Sequence, residues 1–137
     1  RRAWCNNVYK QCLPTYIQNM MKQVKKLTSE GSQSSTIKTS NDYAFLLSEI
    51  EIFGSTTYSY AGEGKQYQYF KNAIANRYKE PRYISYGTTV STYVSGYYWQ
   101  RSPHSSNSSY FCRVDSDGIA SYSDANGTDG VAPCLCI

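Results

Sequence analysis

From Tyr97 onward the chain alternates short apolar runs with long loops of Ser, Asn, Asp, Gly and Tyr. That alternation restricts its fold more than any other feature. The segment Tyr97-Tyr98-Trp99-Gln100-Arg101-Ser102-Pro103 leads into a Ser/Asn-rich loop, then Tyr110-Phe111-Cys112-Arg113-Val114 and the turn Asp115-Ser116-Asp117-Gly118. A second Ser/Asp/Asn loop precedes Gly130-Val131-Ala132-Pro133-Cys134-Leu135-Cys136-Ile137. Runs of this length bounded by turn residues are strands. Loops of this composition are those of a binding surface on a small rigid scaffold, not of a catalytic centre.

The strand pattern predicts β-structure at Tyr83-Ile84, Tyr97–Gln100, Tyr110–Val114, Ile119–Tyr122 and Val131–Ile137, with Asp115–Gly118 as a tight hairpin. Upstream, Asn6–Cys12 reads as a short helix. Pro14 opens a second one carrying Ile17, Met20 and Met21. Gln23–Thr28 is a strand candidate with Val24 and Leu27 inward, and Ser29–Thr36 is a flexible loop by composition. Tyr43–Leu47 is an apolar run of strand length. Ser48 followed by Glu51 is a capping-box pattern opening a helical turn that Gly54 ends. Gln66–Tyr78 has Tyr67, Phe70, Ala73 and Ile74 at helical spacing, and Pro81 closes it. Helices come first and an antiparallel sheet second, so the predicted class is α+β.

With 137 residues the chain is expected to form a single domain, 1–137. Tyr is over-used, 15 copies against four Phe and two Trp, and suits both cores near the surface and contact faces. The net charge of +4 gathers at Lys22, Lys25 and Lys26 and around Arg77, Lys79 and Arg82. A solvated face is the expectation for the three lysines, with a phosphate stripe as the sharper alternative. No nucleic-acid motif is present, and no apolar run approaches the ~20 residues that span a membrane. The opening Arg1-Arg2 without Met suggests a processed or trimmed product. Five cysteines are an odd set: buried thiols are the first expectation, a disulfide from Cys5 or Cys12 to the last strand the second, a metal site the third.

Three segments carry a resemblance. They are Leu46-Leu47-Ser48-Glu49-Ile50-Glu51-Ile52-Phe53-Gly54, then Tyr98-Trp99-Gln100-Arg101-Ser102-Pro103, and Phe111–Gly118 with the downstream Gly130-Val131-Ala132-Pro133. This Trp-x-Arg-Ser-Pro … Gly-Val-x-Pro signature resembles a domain family common in prophages and surface proteins of gut bacteria. Arg2-x-Trp4 and Leu13-Pro14 also fit, so the resemblance spans nearly the whole chain. Members are similar to the C-type-lectin-like fold shared by formylglycine-generating enzymes and retroelement variable proteins. The resemblance therefore implies N-terminal helices packed on a small twisted antiparallel sheet with long loops. The chain departs from many relatives at Gln100, where they carry Leu, and at Ala132, where they carry Arg.

The candidate chemistry is non-catalytic. Arg101, between Trp99 and Pro103, is expected to clamp the loop after its strand and to pair with Glu49 or Glu51. Tyr98 and Trp99 alternate, so one faces the core and the other the loop surface. Asp115, Asp117, Asp124, Asn126 and Asp129 offer oxygens, but a calcium-loop pattern is absent and a turn explains the first two. One histidine, His104, gives no Ser/His/Asp set, and Cys134 and Cys136 sit on a strand. Asn107-Ser108-Ser109 and Asn126-Gly127-Thr128 have the form of glycosylation sequons. The contact residues expected are Tyr97, Tyr98, Ser105, Asn107, Tyr110, Tyr122, Asp124 and Asn126. Trp99, Arg101, Pro103, Cys112, Gly118 and Pro133 are assigned to the scaffold. No cofactor and no metal are expected.

Composition and resemblance together imply a binding module of a phage virion or bacterial surface, extracellular, presenting its loops to a glycan or a cell-surface protein receptor. Assembly with other virion or appendage subunits, as a decoration protein, is the alternative. Retroelement diversification of the loops is a third reading, because mutated Asn codons readily yield Tyr, Ser and Asp.

Overall fold

The computed structural model describes residues 1–32, 34–71, 74–77, 82–86, 90–94 and 96–137. It is a mixed α+β structure: N-terminal helices and several small sheets.

The first helix runs through α-helical Arg2–Trp4, a π-helical stretch Cys5–Tyr9 and α-helical Lys10–Cys12. Leu13 leaves the helix with extended angles because the residue before a proline is pushed out of the α region. Pro14 then caps Thr15–Met20. Asn6 fastens the first helix to the strands. Its side-chain amide donates to Asp42 Oδ1 (2.9 Å) and to the Ala44 carbonyl (3.0 Å), and its oxygen accepts from the Tyr43 N–H (2.8 Å).

The strand expected over Gln23–Thr28 is present and extends further. β1 (Val24–Gly31) and β2 (Ser34–Asp42) form an antiparallel hairpin. Of the segment Ser29–Thr36, read as a flexible loop, Ser29–Gly31 belongs to β1 and Ser34–Thr36 to β2, and Gln33 lies outside the described residues. The segment's polar side chains did not prevent ladder pairing, because β2 keeps most of its residues half or fully exposed. On β1 the buried residues are Lys26, Ser29 and Gly31, whereas Val24 and Leu27 are only half-buried. Gly31 takes φ +67 at the hairpin end, and a Cβ there would lie 2.5 Å from Pro103 Cβ. Only glycine allows the two segments to approach so closely.

β3 (Ala44–Phe45) pairs with β10 (Cys134–Leu135), and an isolated bridge joins Lys22 to Cys136. The helix Glu49–Phe53 follows, then Gln68–Lys71 and a 3-10 turn, Ile74–Arg77. Of the helix expected over Gln66–Tyr78, the described residues show Gln68–Lys71 as α-helix and Ile74–Arg77 as a 3-10 turn. Ala73, Tyr78 and Pro81 lie outside the described residues, as does Lys79. β4 (Arg82–Tyr86) and β5 (Val90–Val94) are an antiparallel pair.

The largest sheet has the order β8-β7-β6-β9, from β6 (Tyr98–Pro103), β7 (Tyr110–Val114), β8 (Ala120–Asp124) and β9 (Gly130–Val131). β6 pairs antiparallel with β7 and parallel with β9. Asp115–Gly118 is the tight turn expected between β7 and β8. The Asp115 carboxylate accepts from the N–H groups of Asp117 and Ile119, and Gly118 adopts φ +79. Asp115 Oδ1 is thus committed to the turn.

Apolar cores lie on both faces of β6. Trp99 packs with Cys5, Met21, Ala44 and Leu46 on one side. Tyr98 packs with Ile52, Phe70 and Val114 on the other. The expectation that one of Tyr98 and Trp99 would face the loop surface is therefore corrected. Both are buried, at 6% and 2% exposure, because elements cover both faces of this central strand. Tyr98 donates its hydroxyl to the Arg77 carbonyl (2.8 Å), which satisfies the polar end of a core ring.

Candidate functional site

Three loops converge at one end of the large sheet, and a buried carboxylate network holds them there. The network starts with the helix Glu49–Phe53. Ser48 Oγ accepts from the Glu51 N–H while the Glu51 carboxylate accepts from the Ser48 N–H (3.0 Å), so both halves of the capping box are formed. Glu51 has a second duty. Its Oε1 pairs with Lys26 Nζ at 2.5 Å and its Oε2 pairs with Arg101 Nη1. All three side chains are close to fully buried. Lys26, expected on a solvated face with Lys22 and Lys25, is in fact inside. Its ammonium also lies 4.2 Å from the Phe45 ring centroid.

Arg101 performs the clamping role predicted for it, and Glu51 rather than Glu49 is its acid. Its guanidinium donates to the carbonyls of Leu27 (3.1 Å), Leu46 (3.0 Å) and Glu63 (2.6 Å) as well as to Glu51. One planar fork thus ties β1, the β3 exit and the Glu63 loop to β6. Burial pushes the Glu51 carboxyl upward. The hydrogen bond and charge of Arg101, with Lys26 and the Ser48 N–H, outweigh that and hold it below the ordinary carboxylate value.

Glu63 is also fully buried. It accepts from the Ser29 N–H (2.7 Å) and hydroxyl (2.8 Å) and from the Ser102 hydroxyl. No cation pairs with its carboxylate among the described residues. Burial therefore prevails over these hydrogen bonds and raises its pKa above the usual range.

Glu49 faces the loop that follows its helix. Its carboxylate accepts from the N–H groups of Thr57 (3.1 Å), Tyr58 (3.1 Å) and Ser59 (2.8 Å) and from the Ser59 hydroxyl (2.6 Å). A buried anion thus organises the backbone of the Tyr58 loop. Backbone bonds link the three loops in series: Ser105 N–H donates to the Tyr58 carbonyl (2.8 Å), and Ala125 N–H to the Ser109 carbonyl (2.8 Å).

Four rings meet where the loops join. Tyr58 and Tyr122 lie 4.9 Å apart edge to face, Tyr110 and Tyr122 5.1 Å apart, and His104 packs on Tyr122 at 4.8 Å and on Tyr58 at 5.9 Å. Tyr122 is 41% exposed and the other three rings are half-buried, so the cluster has a solvent-facing side. These spacings are those of favourable aromatic pairs.

Among the expected contact residues, Tyr110 and Tyr122 are in the ring cluster and Ser105 adjoins it. Asn107 uses its side-chain oxygen to accept from the Ser109 N–H (2.9 Å), which shapes the loop. Asp124 and Asn126 are exposed on the third loop. Tyr97 stands apart, half-buried beneath the Arg113 guanidinium at 4.4 Å. Tyr98 belongs to the core. Among the residues assigned to the scaffold, Trp99 and Cys112 are buried, Gly118 lies in its turn and Pro103 lies against Gly31. Pro133 is half-buried ahead of β10. Cys5 and Cys112 are buried thiols whose pKa burial raises first, and the five cysteines form no disulfide. The described residues contain no cluster of metal-ligating side chains.

Sequence reasoning passed over His104 as a cluster member and missed Glu63 and Lys26. The run Gly62-Glu63-Gly64 carried a signal: an acid between two glycines within a Tyr/Ser loop is a turn that can bring its carboxylate inward.

The family comparison agrees with the breadth of the signature. The model of a domain of unknown function, DUF6273, matches residues 1–137. The chain belongs to that family. No curated protein and no solved structure matches it.

Proposed function

We propose that this DUF6273 domain is a non-enzymatic binding module of C-type-lectin-like type, displayed on a phage virion or bacterial surface, that presents its joined loops to a glycan or protein receptor. The ring cluster Tyr58, His104, Tyr110 and Tyr122 carries this reading. Rigid aromatic faces at a solvent-facing loop junction supply contact area at low entropic cost, and sugar rings and apolar side chains stack on them. Ser105, Asp124 and Asn126 supply adaptable hydrogen bonding around them. Single-site affinity of such a surface is weak, and multivalent display compensates. The test is a glycan and protein array with the isolated domain, repeated with Tyr110→Ala combined with Tyr122→Ala. Binding that vanishes in the double variant supports the site; binding that persists moves it elsewhere.

A second reading, a decoration or tail-associated subunit, has its own observation. Trp4, Val8, Tyr16 and Met20 on the N-terminal helices are 40–66% exposed, apolar side chains that a neighbouring subunit would cover. Sedimentation separates the two readings. A monomer with array binding favours the receptor-binding role, and obligate assembly with virion subunits favours the structural one.

A further inference from the structure

A cavity of about 480 Å³ is lined by residues of the β1–β2 hairpin, of β3, β6 and β7, and of the chain leading into the first helix. None of its lining residues belongs to the ring cluster. Its volume falls within the range of small-molecule sites. Phe45, Leu46 and Phe111 give it apolar walls. The charges on its lining are unequal: four cations, Arg1, Arg2, Lys38 and Arg101, stand against one acid, Asp42.

Three of these cations already have a carboxylate. Arg101 pairs with Glu51, Arg2 with Asp42 at 2.7 Å, and Lys38 with Glu30. Asp42 has no capacity left for a second cation. Its Oδ1 also accepts from Asn6 (2.9 Å) and its Oδ2 from the Ser40 hydroxyl (2.5 Å). Arg1 is different. No carboxylate lies within ion-pair distance of it among the described residues. Its Nη2 donates to a neutral group, the Ala125 carbonyl, at 2.8 Å. Its guanidinium lies 3.9 Å from the Trp99 ring centroid and 5.4 Å from that of Phe111, a cavity wall. Partial burial lowers its pKa against the charge of Asp129, which is itself paired with Arg113 at 2.9 Å. Arg1 is nevertheless exposed, so a ligand can reach it. A planar guanidinium without an acid, at the edge of an apolar space, is the complement of a carboxylate that carries an apolar body.

We propose that this cavity binds a small organic monocarboxylate, its carboxylate paired with Arg1 and its apolar body against Phe45, Leu46 and Phe111, independently of the loop surface. The body is aromatic or alkyl, and the experiment separates the two. The domain is titrated with naphthylacetate and with octanoate, each against its neutral primary amide. Binding is read by calorimetry and by the NMR shift of the Trp99 indole N–H, whose ring lies under the Arg1 guanidinium. At least one acid is expected to bind and shift that resonance, and the tighter one identifies the body. Each amide is expected to bind about tenfold more weakly or worse than its acid, the weight of one charge-assisted pair. Arg1→Gln is expected to bring the acid down to the affinity of its amide. Thr39, an exposed lining residue on β2, gives a second variant: Thr39→Trp fills the space and is expected to abolish binding.

Failure of both acids to bind the wild-type protein would overturn the proposal without any variant. So would amides that bind as tightly as their acids, or full affinity in Arg1→Gln or in Thr39→Trp. The Tyr110/Tyr122 double variant is expected to keep the carboxylate site. Loss of acid binding there would place it on the loops and overturn the cavity assignment.

Discussion

The inside and the loop surface of this domain have exchanged their usual residues. Beneath the loops, Lys26, Glu49, Glu51, Glu63 and Arg101 are withdrawn from water, while at the loop junction Tyr58, Tyr110 and Tyr122 meet it. The two regions have different physics. Buried charges are directional and intolerant of change, so they fix where the loops stand. Exposed rings pack with little directional demand and leave room for a partner. Rigidity is thus supplied from below, and adaptability is kept above.

If that division is right, substitutions below should unfold and substitutions above should not. Glu51→Ala leaves both Lys26 and Arg101 buried without their acid. A loss of about 3–5 kcal/mol in urea unfolding is expected, the usual cost of breaking one side of a buried pair. A loss under about 1 kcal/mol would mean that the network is not what holds the loops. Gly31→Ala forces a left-handed residue against Pro103, and about 2 kcal/mol or more should be lost, read as a lower denaturation midpoint. Ser48→Ala removes one half of the capping box and should cost about 1 kcal/mol by the same measurement.

The two acids should also separate by pH. Glu51 has a depressed folded pKa, so its contribution is present above the unfolded carboxylate value and is lost as pH falls through the folded value. Glu63 has a raised folded pKa, so its contribution is full below the unfolded value and is lost as pH rises through the folded one. Glu63→Gln should therefore abolish the decline in stability that wild type shows as pH climbs above about 4.3. An unchanged decline would remove Glu63 as its source. Smallest of all, Tyr122→Ala should alter stability by no more than about 0.5 kcal/mol while weakening receptor binding on the array.

Local signals were legible where a few neighbouring residues decide the outcome. The capping box at Ser48 and Glu51, the Asp115–Gly118 turn and strand β7 all follow from their own sequences. The Arg101 clamp was legible in kind, because an Arg beside a strand end seeks carbonyls and acids. Residues decided at long range were not. Lys26 reads as a surface lysine until Glu51, 25 positions away, comes to meet it. Tyr98 reads as a contact residue until helices from upstream cover its face. Ser29–Thr36 reads as a flexible loop until β1 and β2 pair, because Ser and Thr serve a ladder as well as a loop.

The grip of Glu49 on the Tyr58 loop has a consequence for how such a surface changes over generations. At positions 57 and 58 it grasps main-chain N–H groups, which every residue except proline provides. The outward side chains there can be replaced almost at will without loosening the hold. Proline at either position is the exception and should release the loop. The fastening is blind to the letters it fastens, so partner preference can drift while the frame beneath stays the same.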